Sequence, residues 1–204
     1  MARPPARPQL QRTALRLEYA TIAWNLGEAV LTIGLGIVAR SLALIGFGTD
    51  SVIEVFASSV VVWHVRPGHE EDHPARTRMA LRLVAAAFAG LGLVLAAASI
   101  RDLISGREAG ASPGGIAYLA VTACVMFGLA VWKRRVATDL DSAPLRSEAS
   151  MTFLDGVLSV LTLTGLALNA VWGWSWADPA AALLVAAAAL RESRENLRES
   201  RELP

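Results

Sequence analysis

Six apolar segments of roughly twenty residues constrain the fold of this chain more than any other feature, because about 17 to 25 apolar residues cross a bilayer as a helix. Hydrophobic residues make up 54% of the 204 positions. That is more apolar surface than a soluble core of this size would bury. We therefore predict an all-α integral membrane protein with six transmembrane helices. The predicted spans are Leu15–Ala39, Leu42–Val65, Leu83–Ile104, Gly115–Trp132, Glu148–Val171 and Trp174–Leu190.

The distribution of basic residues predicts the orientation of these spans. With six spans, 16 of the 19 Lys and Arg residues fall on the side of the two termini, including Lys133 in the loop between the fourth and fifth spans. Only Arg40, Arg101 and Arg107 fall on the other side. By the positive-inside rule both termini are predicted to be cytoplasmic. The net charge of +1 gives no reason to expect nucleic acid as a partner.

The ends of the chain differ in composition from the apolar part. Three prolines near the N-terminus disfavour helix, and we predict a basic disordered arm at 1–13, a six-helix transmembrane domain at 14–190 and a charged cytoplasmic helical tail at 191–204. The first apolar segment is too long for a signal peptide and contains Glu18 and Glu28. The richness in Arg and Ala favours a bacterial source, and hence a multi-pass protein of the inner (plasma) membrane.

The acids that fall well inside or just within the predicted spans and attract attention are Glu28, Asp50, Glu54 and Asp155, and Glu148 lies at the cytoplasmic start of the fifth span. A charged residue at a span centre costs roughly 2.5–3.5 kcal/mol. Asp50 and Glu54 share a helix face, and a rise of about 1.5 Å per residue puts Glu28 level with Asp50 and Glu54 level with Asp155. Because we expect no Lys, Arg or His deep in a span, the compensating charge is predicted to be a proton or a metal cation.

Three segments resemble the cation diffusion facilitator family. Residues Ser41–Glu54 resemble its second transmembrane helix, in which an S-L-A-L run leads to an acid or His and to a second acid four residues later. Residues Met151–Ser159 resemble the His-x-x-x-Asp pattern of its fifth helix, with Met151 in the His position. Residues Trp176–Val185 resemble the start of its sixth helix. The three segments fall in order on the expected spans.

The resemblance implies a homodimeric exporter of divalent transition metals, typically Zn²⁺, driven by proton antiport. On this interpretation Asp50, Glu54 and Asp155 bind the transported metal, while Glu148 and Glu28 are auxiliary ligands or proton carriers. A set of carboxylates without imidazole or thiolate is harder than the usual zinc site, so Co²⁺, Fe²⁺ and Mn²⁺ are further candidate substrates. The family's usual cytoplasmic domain has no expected counterpart after Leu190, which makes the short, membrane-only variants the closer comparison.

Other interpretations of the buried acids remain open at this point. A non-transporting membrane protein that binds metal, as a sensor or partner subunit, would also contain them. A proton-coupled carrier for an organic cation would explain the acids but not the three ordered segments. Single acids could also be protonated and hydrogen-bonded to neighbouring side chains such as Asn25. Met151 is predicted to be a packing residue rather than a ligand.

Two further motifs are assigned structural or minor roles. His69–His73 matches the metalloprotease pattern H-E-x-x-H, but prolines on both sides disfavour the helix that this pattern needs. We therefore predict that the protein is not an enzyme, and the segment remains either a solvated loop or a loop that captures metal. Gly46 and Gly48 are predicted to allow close helix packing, with local loosening of the helix as the alternative.

Overall fold

The computed structural model describes residues 7–38, 42–66, 74–106 and 113–203, and they form six α-helices. This confirms the predicted all-α fold with six helices in the predicted order. The helices are α1 (Arg7–Val38), α2 (Leu42–Val65), α3 (Pro74–Ser105), α4 (Pro113–Leu140), α5 (Ala143–Trp172) and α6 (Ala177–Glu202). The predictions that concern residues 1–6, Arg40, Ser41, His69–His73 and Arg107 lie outside the described residues, as does the side-chain packing at Gly46.

Several helices continue past the predicted ends of their spans. Helix α1 begins at Arg7, so residues 7–13 are helical and do not belong to a disordered arm. Pro8 does not prevent this, because proline in a first turn removes no helical hydrogen bond. Helix α3 begins at Pro74, and α4 continues to Leu140, well beyond Trp132. Hydropathy finds the part of a helix that crosses the bilayer, whereas the helix itself continues into polar sequence.

The ends of all six helices meet around one pocket of about 460 Å³. Its walls include residues at the starts of α1, α3 and α5 and at or just beyond the ends of α2, α4 and α6: Arg7, Pro74, Ala143, Val65, Leu140 and Leu203. Consecutive helices therefore run in opposite directions. Both ends of the described chain lie at this end of the bundle, which we call the termini end.

The six helices pack mainly as three pairs, α1 with α2, α4 with α5, and α3 with α6. The α3–α6 pair is joined by polar contacts as well, since Ser193 Oγ donates a hydrogen bond of 2.7 Å to the carbonyl oxygen of Ala85. Fewer contacts join α1 to α4 and α2 to α5. We call the interface between the α1–α2 pair and the α4–α5 pair the seam.

The outer surface of the bundle suits a lipid bilayer. Within the described residues, α3 and most of α4 and α5 are long and apolar enough to cross a membrane. Three exposed tryptophans lie at the end opposite the termini end: Trp172, Trp174 and Trp176. The ring centroids of Trp172 and Trp174 are 6.0 Å apart, and those of Trp174 and Trp176 are 5.6 Å apart. Exposed Trp side chains at one level are typical of the boundary between membrane and water.

The C-terminal residues up to Glu202 are part of α6. Helix α6 continues without interruption to Glu202. Its exposed face carries ion pairs of Arg191 with Glu195 at 2.7 Å and of Arg198 with Glu202 at 3.1 Å, both at i,i+4 spacing. The other face packs on α3, where Arg78 donates to the carbonyl oxygen of Leu203.

Candidate metal-binding site

Four of the predicted acids converge on the seam near the middle of the bundle. Asp50 and Glu54 of α2 and Glu28 of α1 are buried, and Asp155 approaches them from α5. Asp50 lies close enough to Glu54 and Glu28 for their charges to repel, and Asp155 is similarly close to Asp50, Glu28 and Glu54. These four residues form what we call the acid cluster.

Three carboxylate oxygens of the acid cluster have no hydrogen-bond donor among the described residues. They are Oδ1 of Asp50, Oε1 of Glu54 and Oδ2 of Asp155, and all three are buried. A buried polar group without a partner costs about 1–3 kcal/mol, and more when it is charged. Oxygen atoms of this kind are the ligands that hard divalent cations prefer, and they also bind protons. Each of the three predicted ligands, Asp50, Glu54 and Asp155, therefore has one carboxylate oxygen that is available to bind a cation.

Neighbouring side chains on α1 and α4 hold two further oxygens of the acid cluster. Asn25 Nδ2 donates a hydrogen bond of 2.7 Å to Glu54 Oε2, and the Tyr118 hydroxyl donates to Glu28 Oε1. From the sequence, Asn25 is expected only as a hydrogen-bond partner of a protonated acid. In the structure it fixes one oxygen of Glu54 and leaves the other open.

A glycine on α2 brings these helices close together. A Cβ atom added to Gly48 would lie 2.5 Å from both Ile33 Cγ1 and Thr32 Oγ1 of α1. Real Cβ atoms do not approach other atoms so closely, so only glycine permits this contact. The prediction that Gly48 serves helix packing is therefore confirmed.

The acids of the acid cluster lie near one another, but their side chains are not arranged to coordinate one metal ion. Within the described ranges, no three His, Cys, Asp or Glu side chains lie close enough together to hold a single metal ion. Asp50 and Glu54 belong to the α1–α2 pair, whereas Asp155 belongs to the α4–α5 pair. Binding of one ion by all three therefore requires movement of side chains or helices across the seam.

Lys133 is a buried base beside the acids, although no Lys, Arg or His was expected deep in a span. It is part of α4, and its side chain is 0% exposed. Lys133 Nζ lies 2.7 Å from both carboxylate oxygens of Glu148, 3.2 Å from Thr152 Oγ1 and 3.3 Å from Glu18 Oε2. We call Glu18, Lys133 and Glu148 the lysine cluster. Glu18, like Lys133, was not singled out from the sequence as a site residue.

A helical pattern could have identified Lys133. Met126, Ala130, Ala137 and Leu140 are all buried at spacings of three and four residues, and position 133 completes that face. The adjacent Arg134 and Arg135 are exposed because they point away from it. The run Lys-Arg-Arg was assigned to a loop because its charge ends the apolar segment, although the helical periodicity continues through it.

Glu148 is therefore surrounded by donors, unlike the acids of the acid cluster. Lys133 contacts both of its oxygens, and Ser58 Oγ donates to Oε1 at 2.8 Å. Glu148 is still within electrostatic range of Glu54, so the two clusters adjoin. Met151, in the position of the family's His, is fully buried in the apolar core, as expected for a packing residue.

Comparison with known proteins agrees with this arrangement. Residues 19–203 match the family described as the cation efflux transmembrane domain, a range that covers most of α1 and all of α2–α6. The chain is also 26% identical over 182 residues to an uncharacterised transporter of Synechocystis sp.. That alignment covers 89% of this chain and 58% of the relative, so the chain spans less than two thirds of the relative's length.

The family match decides three of the predictions. Members of the family are transporters and not enzymes, and their shared domain is embedded in the membrane. The predicted multi-pass membrane protein and the predicted resemblance to cation diffusion facilitators are thereby confirmed. By its transmembrane domain, this chain belongs to the cation efflux family.

Proposed function

We propose that this chain is the membrane part of a divalent transition-metal transporter in which Asp50, Glu54 and Asp155 bind the transported ion. The observation that carries the proposal is the set of three buried oxygens, one from each residue, that lack hydrogen-bond donors among the described residues. Membership of the cation efflux family supports cation transport as the activity.

The chemistry of the ligands bears on the choice of metal. Zn²⁺ is our first choice, and Co²⁺, Fe²⁺ and Mn²⁺ are further substrates because carboxylate oxygens favour harder ions than imidazole or thiolate does. Glu28 and Glu148 serve as auxiliary ligands or proton carriers. Glu148 can take either role only after Lys133 releases one of its oxygens, since both oxygens now contact the ammonium group.

The direction and coupling of transport are part of the same proposal. A carboxylate oxygen that binds a metal ion must release its proton, so metal and proton fluxes become coupled. We propose proton-driven efflux by a homodimer in the inner membrane of a bacterium. The termini end faces the cytoplasm on this proposal, because most Lys and Arg residues are at that end.

Transport by purified protein in proteoliposomes tests the proposal. Uptake of Zn²⁺, Co²⁺ or Mn²⁺ is followed with an internal metal-sensitive dye, with and without a pH gradient. Asp50→Asn and Asp155→Asn keep the side-chain shape but remove a charged ligand. We expect each to slow uptake by about tenfold or more, as lost charge-assisted contacts typically do. Glu195→Gln, an exposed acid on α6, is the matched control and should transport like the parent.

The outcomes separate the proposal from its alternatives. Undiminished uptake by both Asn variants would refute the assigned site. Metal binding in calorimetry without flux would favour a sensor or partner subunit. Uptake that is blocked by an organic cation and insensitive to metal would indicate a carrier for organic cations.

A further inference from the structure

Two side-chain contacts between α1 and α4 cross the seam, one on the termini side of the acid cluster and one at Glu28, which is an acid of the cluster itself. Toward the termini end, Lys133 Nζ of α4 lies 3.3 Å from Glu18 Oε2 of α1. Toward the other end, the Tyr118 hydroxyl of α4 donates to Glu28 Oε1 of α1. The two α1 carboxylates are separated by about 15 Å along the helix at 1.5 Å per residue. Asn25 and Glu54, joined by a hydrogen bond, lie between these two levels.

The contacts of Lys133 differ in length and in the helix pairs that they join. Its contacts with Glu148, at 2.7 Å, stay within the closely packed α4–α5 pair. Its contact with Glu18, at 3.3 Å, is longer and joins that pair to the α1–α2 pair. Glu18 Oε1 has no hydrogen-bond donor among the described residues and is buried. Movement of the two pairs apart would therefore break the Lys133–Glu18 contact and leave the Lys133–Glu148 pair intact.

We propose that Lys133 is a positioning residue that closes the seam at the termini end, and that Tyr118 closes it at the opposite end. The acid cluster then opens to one side of the membrane when the contact on that side separates. This inference rests on the proposed function, since it assigns the two gates that a transport site needs. At the termini end, loss of Lys133 would leave the buried carboxylates of Glu18 and Glu148 without their base, and an uncompensated buried charge strongly destabilises the contacts around it.

Thiol labelling from each side of the membrane tests the two gates separately. In a Cys124→Ala background, Thr21→Cys places a probe one turn from Glu18 toward the acid cluster, and Thr122→Cys places a probe one turn from Tyr118 toward the acid cluster. Both threonines are 0% exposed. A membrane-impermeant thiol reagent is added to oriented vesicles from the termini side or from the opposite side, without metal.

We expect Lys133→Gln to raise the labelling rate of the Thr21→Cys probe by about tenfold or more from the termini side only, because a lost charged contact shifts an opening equilibrium by at least one decade. Tyr118→Phe should raise labelling of the Thr122→Cys probe from the opposite side only. Lys133→Arg, which keeps the charge, should label nearly as slowly as the parent.

Lys133→Gln leaves the buried carboxylates of Glu18 and Glu148 without their base and could therefore impair folding. A second variant is needed as a control for this effect. The double variant Lys133→Gln/Glu148→Gln removes one positive and one negative charge together and should show the same one-sided increase. Unchanged labelling in the folded variants would refute the gates. Equal increases from both sides would also refute them, because they indicate general loosening. Labelling requires neither metal nor flux, so one-sided increases in a protein that transports nothing would support the gates and contradict the proposed function.

Discussion

Each acid of the site is defined by what its two oxygens contact. Glu54 is the clearest case, since Oε2 accepts a hydrogen bond from Asn25 while Oε1 has no donor among the described residues. A partner on one oxygen fixes the orientation of the other, which is how residues behind a metal ligand raise its affinity. Glu148 is the opposite case, because Lys133 contacts both of its oxygens.

Removal of the Asn25 amide should therefore weaken metal binding without removing a ligand. We expect Asn25→Leu, which is close in size, to lower the affinity for Zn²⁺ by about tenfold to a hundredfold, the usual effect of losing such a supporting contact. Calorimetry on the purified protein measures this. Asn196→Leu is the matched control, since Asn196 is also buried but bonds to the backbone of α6. Equal affinities of the Asn25 variant and the parent would contradict the supporting role.

At the residue scale the acids were predictable from the sequence, but the lysine that pairs with Glu18 and Glu148 was not. Asp50, Glu54 and Asp155 were predictable because an acid within an apolar segment is rare and costly. Lys133 was missed because it is followed by two arginines and resembles the start of a loop. Only the continued burial of one helix face distinguishes it from Arg134 and Arg135.

Helix α2 carries two of the acids, and its position depends on Gly48. Because an added Cβ would overlap Ile33 and Thr32, the backbones of α1 and α2 approach more closely there than larger residues allow. The number, order and type of the helices were predictable from hydropathy and length. Their extensions at the termini end were not, because those parts of α1, α3 and α4 lie in polar sequence.

Gly48→Ala should push α1 and α2 apart and destabilise the protein by about 1–3 kcal/mol, as overpacking of a tight contact does. Thermal unfolding in detergent measures the change. Gly128→Ala on α4 is the matched control, because a Cβ there meets no atom within 4 Å. That control should be neutral or stabilising by up to about 1 kcal/mol, since alanine favours helix. Equal melting temperatures for the two variants would contradict the close contact at Gly48.

At the scale of the whole molecule, the described residues form three helix pairs, with the acid cluster on the seam between two of them. Sequence could not show which helices pair, because pairing depends on contacts between distant segments. It also could not show that the lysine cluster adjoins the acid cluster, since that requires α1, α4 and α5 to meet. Asp155 lies across the seam from Asp50 and Glu54, so a bound ion would link the two pairs.

Anomalous diffraction from crystals grown with Zn²⁺ tests the central claim most directly, because it locates the metal and its ligands together. We predict one strong zinc peak on the seam within coordination distance of Asp50, Glu54 and Asp155, about 2.0–2.2 Å from their oxygens. Asp155→Asn should remove or weaken that peak. A zinc peak only at the termini end or on the surface, with the acid cluster vacant, would contradict the account.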